Sequence, residues 1–189
     1  QFKEILAGIS FRVTRDEVST VKTMMRTRRI LVPPSDAFKE AYRDLTDNLF
    51  LKFEDSIATA PQVLIKAIKL HQLCGGFVKD NDGNVQVIHE DKMNTLWELM
   101  DGELKGTPLV IVAQYKAEMD AISQGLAGRG ISYVQIRGKH QYDPDDRSFV
   151  TLLNPSAGEA INLAHYSVMV IFSMNHSYLK WEQFKDRIV

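Results

Sequence analysis

Only one cysteine, Cys74, occurs in this chain. An internal disulfide and a multi-cysteine metal site are therefore excluded, and the usage suits a reducing compartment. No apolar run approaches the roughly 20 residues of a membrane-spanning helix. The start lacks the basic-then-apolar pattern of a secretory leader. Neither sign of charge is in excess: 23 Lys and Arg against 24 Asp and Glu give a formal net charge of −1. A grip on nucleic acid must then be local rather than a property of the whole surface. Compositional bias is lacking too. With 44% hydrophobic and 25% charged residues among 189, the chain has the make-up of one globular domain, or of a domain with a sizeable insertion, and not of a disordered or fibrous protein. It has no internal repeat and no low-complexity segment. It opens at Gln1 without an initiator Met and closes at Val189 inside an amphipathic pattern, so both ends read as cuts in a larger protein.

Self-contained catalytic motifs are also absent. Gly138-Lys139 looks like the end of a phosphate-binding P-loop. However, Tyr133 stands where the earlier glycine belongs, and His140 replaces the Ser or Thr that would bind magnesium. The acidic pairs Asp16-Glu17 and Glu90-Asp91 do not follow a hydrophobic strand, as a metal-binding acidic box would. His71, His89, His140, His165 and His176 share no ligand spacing with one another or with Cys74. Ser156-Ala157-Gly158 lacks the first glycine of a nucleophile elbow. The histidines and acidic pairs therefore read as structural or surface groups.

What is present is a rhythm that changes along the chain. Gln1 to Gly8 is expected as a short helix, and Val21 to Val32, closing on Pro33-Pro34, as a strand. Ser35 is a helix N-cap candidate. Phe38, Tyr42, Leu45, Leu49 and Phe53 then recur every three or four residues, predicting an amphipathic helix to about Asp55. Pro61 suits the first turn of a second helix, which carries Leu64, Ile65, Ile68 and Leu73 and stops at Gly75-Gly76. Asn81-Asp82-Gly83-Asn84 predicts a hairpin turn, and Asp91 to Met100 another helix. From Thr107 onward, apolar runs alternate with helical patterns. Strands are expected at Leu109 to Val112, Ile131 to Ile136, Phe149 to Leu153 and Val168 to Phe172, with helices at Ala117 to Leu126 and Tyr178 to Val189. Such alternation implies an α/β fold, a parallel sheet flanked by helices. Sites in such sheets lie at the carboxyl ends of the strands. The residues to inspect are Gln114-Tyr115, Arg137-Gly138-Lys139, Asn154 to Asn162, and Ser173 to His176. Residues 1–105 are mostly helical, and residues 106–189 form the compact α/β core.

Four segments follow one another in a definite order. The strand Leu109-Val110-Ile111-Val112-Ala113-Gln114-Tyr115 ends in polar residues, and Tyr133-Val134-Gln135-Ile136-Arg137-Gly138 ends in glycine. Gly158-x-x-Ile161-Asn162-Leu163 follows a strand and loop. Gln183-x-x-Asp186-Arg187 lies on the last helix, with Trp181. The series resembles motifs of the second RecA-like lobe of superfamily II helicases, in the Swi/Snf-like branch. The first strand looks like motif IV, the Gly-x-x-Ile-Asn-Leu pattern like motif V, and the last like the start of motif VI. Phe11 to Val18 and Lys69 to Cys74 are similar to segments the family carries ahead of motif IV. Two departures stand out. Ala160 occupies a position where motif V usually has glycine, and the chain stops one residue short of the second arginine of motif VI.

The resemblance implies a fold of the P-loop NTPase type with a RecA-like core over residues 106–189, truncated inside motif VI. Residues 1–105 are then a lead-in or insertion. It implies ATP and magnesium held mainly by a first lobe of the same parent chain, with neither bound tightly by this fragment. Arg187 would reach the γ-phosphate, where negative charge sits in the transition state. Gln183, Gly158 and Asn162 would serve the nucleotide site. Gln114, Tyr115, Gly138, Lys139 and Ser156 would follow the backbone of single-stranded or duplex DNA, without sequence preference. The implied setting is the cytoplasm of a bacterial or phage-infected cell, away from any membrane. Without the resemblance the same residues read more plainly. Arg187 would be a solvated or salt-bridged arginine, Asn162 a cap, Gly158 a turn residue, and Lys139 and Arg137 surface charges. Arg26, Arg28 and Arg29 would be a solvated face. Trp181, Gln72 and Cys74 would be packing residues. Two alternatives stay open: a non-catalytic nucleic-acid- or partner-binding module of the same fold, and a free-standing nucleotide- or sugar-binding α/β enzyme.

Overall fold

The structure is a computed structural model. It describes residues 26–51, 60–80, 82–138, 148–157, 161 and 163–174, apart from the side chains of 48–51 and 60–62. The expected helices at Gln1 to Gly8 and Tyr178 to Val189, Trp181, and the segment Phe11 to Val18 lie outside the described residues. The chain divides into two compact units, residues 1–30 and residues 31–189. In the first, residues 26–30 are exposed and without regular structure. The strand expected over Val21–Val32 is thus not formed over 26–32. Among the described residues no neighbouring strand pairs with this stretch, and Pro33 and Pro34 offer no backbone donors to a ladder.

The second unit begins its regular structure with α1 (Asp36–Leu51). Ser35 is its N-cap: the Ser35 Oγ accepts the Phe38 N–H at 3.2 Å. The Ser35 amide donates to Asp91 Oδ2 at 2.8 Å, so one residue both starts this helix and ties it to the next part of the unit. Helix α2 (Ala60–Cys74) follows. Of the apolar residues that mark it, Leu73 is fully buried, whereas Leu64, Ile65 and Ile68 are exposed. Cys74 is exposed as well, which corrects the packing role expected for it, while Gln72 is buried and accepts the Lys79 amide at 3.2 Å.

The predicted hairpin is present, with β1 (Phe77–Lys79) antiparallel to β2 (Val85–Val87). In its turn Asp80 accepts the Asn84 backbone N–H at 2.7 Å and the Asn84 side-chain amide at 2.8 Å. Helix α3 (Asp91–Asp101) then sends Leu96 and Met100 into the main core.

The core is built on β3 (Leu109–Val112), α4 (Lys116–Gly128), β4 (Tyr133–Ile136), β5 (Val150–Leu153) and β6 (Val168–Ile171). The four strands form one parallel sheet in the order β4-β5-β3-β6. All four residues of β3 are fully buried, because both faces of the sheet are covered. Alternation assigns them to two layers. Leu109 and Ile111 pack with Met119, Ile122 and Leu126 of α4 and with Leu96 and Met100 of α3. Val110 and Val112 pack with Ile161, Leu163 and Tyr166. The connection from β3 to β4 and that from β5 to β6 run opposite ways along the sheet, so crossovers of one hand must cover opposite faces. The two core layers show this. The layout is α/β, a four-stranded parallel sheet flanked by helices. Among the described residues no helix is long and apolar enough to cross a membrane.

Candidate functional site

The carboxyl ends of β3, β5 and β6 lie side by side, and a web of polar groups joins them. Asn154, just past β5, donates its side-chain amide to the Gln114 carbonyl at 2.8 Å and to the Ala113 carbonyl at 3.3 Å. Its Oδ1 accepts the Ser156 N–H at 2.9 Å and the Ser156 hydroxyl. Its own amide donates to the Ile136 carbonyl at 2.9 Å. One side chain thereby holds the exits of β3 and β5 together, with its backbone tied to β4. On the other side of β3, the Phe172 and Ser173 amides both donate to the Val112 carbonyl, at 2.9 and 3.2 Å.

The start of α4 is sealed from within. Glu118, three residues past Tyr115, is 2% exposed. Its Oε2 accepts the Tyr115 N–H at 3.0 Å, satisfying one of the amides a helix leaves open at its first turn. The same oxygen accepts the Ser173 hydroxyl, and the Ser173 Oγ accepts the Gln114 N–H at 2.8 Å. Burial raises the Glu118 carboxyl above its ordinary value, against the opposing pull of the Ser173 hydroxyl, the Tyr115 and Gln114 amides and Lys92. Burial likewise lowers the Lys92 ammonium, with Glu118 opposing. The Lys92 Nζ sits 5.0 Å above the Phe172 ring centre. A helix N-terminus at a strand end commonly cradles phosphate. Here the protein's own carboxylate fills that place. The Ser173–Glu118 pair is also sealed from solvent, so it holds structure and offers no nucleophile to a substrate.

Tyr115 is half-buried, its hydroxyl 3.0 Å from His71 Nδ1 and its ring edge-on to Phe77 at 5.5 Å. Its own ionisation is pushed up by burial and by the charge of Glu118. The expected contact residues Gln114, Tyr115 and Ser156 are thus gathered at one edge, Ser156 exposed and Gln114 half-buried. The Gln114 Oε1 is buried and accepts no hydrogen bond among the described residues. Gly138 closes β4 with a φ of 63°, a left-handed conformation that favours glycine, and a Cβ there would meet nothing within 4 Å. Arg137 pairs with Asp120 of α4 at 2.7 Å, anchoring the same exit. Lys139, Gly158, Asn162, Gln183 and Arg187 lie outside the described residues. Flanking Asn162, Ile161 and Leu163 are buried in the second core layer. Glu118 was not singled out by sequence reasoning. Its signal was an acidic residue three positions after a strand-to-helix turn. Among the described residues no group of three or more His, Cys, Asp or Glu is placed to hold a metal ion.

No family model matches the chain, and none of the curated proteins matches it. Among solved structures it is similar to a crystal structure of the C-terminal part of the Fun30 ATPase domain. The identity is 18%, the TM-score 0.46, and the match covers 80% of this chain and 55% of that one. The chain thus spans about half the length of that structure.

Proposed function

We propose that this chain is the second motor lobe of an ATP-dependent DNA helicase or translocase. In this reading it supplies the motif V segment and Arg187 to an ATP site shared with a first lobe of the same protein. Support comes chiefly from one correspondence. The motif IV-like run is β3, one of the two inner strands, and its exit is flanked by the exits of β5 and β6. Those two strands lead, in sequence, into the motif V-like and motif VI-like segments. The order of the motifs and the switch point of the sheet thus agree.

The filled first turn of α4 accords with a lobe that leaves nucleotide phosphates and magnesium to its partner. Arg187 is the group that stabilises charge at the γ-phosphate, with Gln183, Gly158 and Asn162 around the nucleotide. Gln114, Tyr115, Gly138, Lys139 and Ser156 follow the DNA backbone, and closure of the lobes couples hydrolysis to movement.

The test is ATP hydrolysis by the protein carrying both lobes, with and without DNA, against Arg187→Ala. DNA-stimulated turnover that falls by about a thousandfold or more in the variant, with ATP binding retained, supports the reading. Turnover that ignores the substitution removes Arg187 from the site. An absence of turnover favours a non-catalytic binding module, the reading that Ala160 and the balanced charge would suit.

A further inference from the structure

Four elements converge on the Glu118 carboxylate. The β3–α4 turn brings the Tyr115 amide, and β6 brings the Ser173 hydroxyl. From α3, Lys92 acts on it electrostatically. At the end of α2 comes Gly75, where a Cβ would collide with Glu118 Oε1. Packing alone does not call for a charge here. Burying a carboxylate is costly, and an uncharged side chain of similar volume would fill the space at least as well. The hydrogen bonding is also one-sided. Among the described residues Oε1 accepts nothing, so the carboxylate acts through Oε2, towards Ser173 and the turn. Ser173 stands where the chain leaves β6, upstream in sequence of Gln183 and Arg187.

We propose that Glu118 is a positioning residue: through Ser173 it locks the exit of β6 to the β3–α4 turn, and so fixes the point from which the chain bearing Gln183 and Arg187 departs. The inference rests on the motor reading above and adds to it the residue that aligns the arginine-bearing segment.

The test uses the protein carrying both lobes and DNA-stimulated ATP hydrolysis. Glu118→Ala, Glu118→Gln and Ser173→Ala are measured alone and combined with Arg187→Ala. Single-turnover conditions keep the slow background readable. Glu118→Ala and Ser173→Ala each lower kcat by about tenfold and leave the KM for ATP within roughly twofold, the pattern of a lost transition-state alignment. Glu118→Gln, whose amide oxygen accepts the same two donors, recovers to within about threefold of the parent rate. Neither alanine variant slows the Arg187→Ala protein further, because the alignment no longer has an object. Losses that multiply in the double variants, or a Glu118→Gln as slow as Glu118→Ala, overturn the positioning role while leaving the motor reading intact. Should Glu118→Ala fail to fold, Ser173→Ala, which deletes one oxygen, decides the matter alone. A parent without DNA-stimulated turnover overturns the motor reading, and this inference with it.

Discussion

Asn154 offers a quantitative test of how the carboxyl edge of the sheet is held. Its amide group donates to two carbonyls, Gln114 O at 2.8 Å and Ala113 O at 3.3 Å, and Ala113 is fully buried. Its Oδ1 accepts from Ser156, which is exposed and regains water when released. Asn154→Ala therefore loses two donated bonds at about 1 kcal/mol each, and it leaves the buried Ala113 carbonyl without that side-chain donor. The net loss is about 2–3 kcal/mol. For a chain of this length that is a fall in Tm of about 4–12 °C. Asn154→Asp keeps the acceptor for Ser156 but sets a carboxylate oxygen against two carbonyl oxygens. It costs more than Asn154→Ala at neutral pH, and it partly recovers on acidification, because a protonated carboxyl can donate one bond. Urea denaturation followed by circular dichroism, at pH 7 and pH 4.5, measures both. An Asn154→Ala within about 0.5 kcal/mol of the parent would refute the pinning argument, since that is the scatter of ordinary surface changes. An Asn154→Asp as stable as the parent at pH 7 would do the same.

Two further outcomes follow from burial. Glycine-to-alanine changes inside a helix ordinarily stabilise by up to about 1 kcal/mol. At Gly125 of α4 the added Cβ would collide with the Trp97 ring, which also carries the Arg129 guanidinium at 4.1 Å. Gly125→Ala is therefore destabilising, by about 1–3 kcal/mol in urea melts, and a stabilised variant would show that the ring yields freely. The second outcome concerns pH. The folded-state pKa of Glu118 is raised by burial, so the folded protein binds this proton more tightly than the unfolded chain does. Its contribution to stability is thus fully present below the ordinary glutamate value of about 4.3 and is lost as pH rises through the raised value. Glu118→Gln lacks this dependence. Its stability relative to the parent improves as pH rises across that window, and parallel pH profiles for the two proteins would contradict the assignment.

Much of the local structure was legible because its causes are local. Ser35 as a cap needs only its own hydroxyl and an amide three residues on. The hairpin turn needs only the Asp80–Asn84 bonds and a glycine between them. The continuous apolar runs at 109–112 and 150–153 marked strands buried on both faces, and the described elements from Asp91 onward end within two residues of the expected ones. The strand expected to run to Val32 failed for the opposite reason. A β-branched, apolar composition suits a sheet but cannot supply a partner strand. The candidate site was legible by rule rather than by residue. Strand exits were the place to inspect by the rule for parallel sheets, and Gln114, Tyr115 and Ser156 stand there. Glu118 was hidden because its spacing from the turn marks only a cap, whereas its burial depends on Ser173, 55 residues away in the chain.

The sequence by itself determined the α/β class, the position of most elements and the edge at which polar groups gather, since periodicity, capping and turn chemistry are settled by residues a few positions apart. Only the tertiary structure decided the order β4-β5-β3-β6, the split of β3 between two core layers, the exposure of Leu64, Ile65 and Ile68, and the desolvation of Glu118. These depend on groups far apart in the chain: Ser173 meets Glu118 across 55 residues, and Asn154 reaches Gln114 across 40. The free energy of a buried charge is set by what surrounds it, and its surroundings exist only once the sheet has formed.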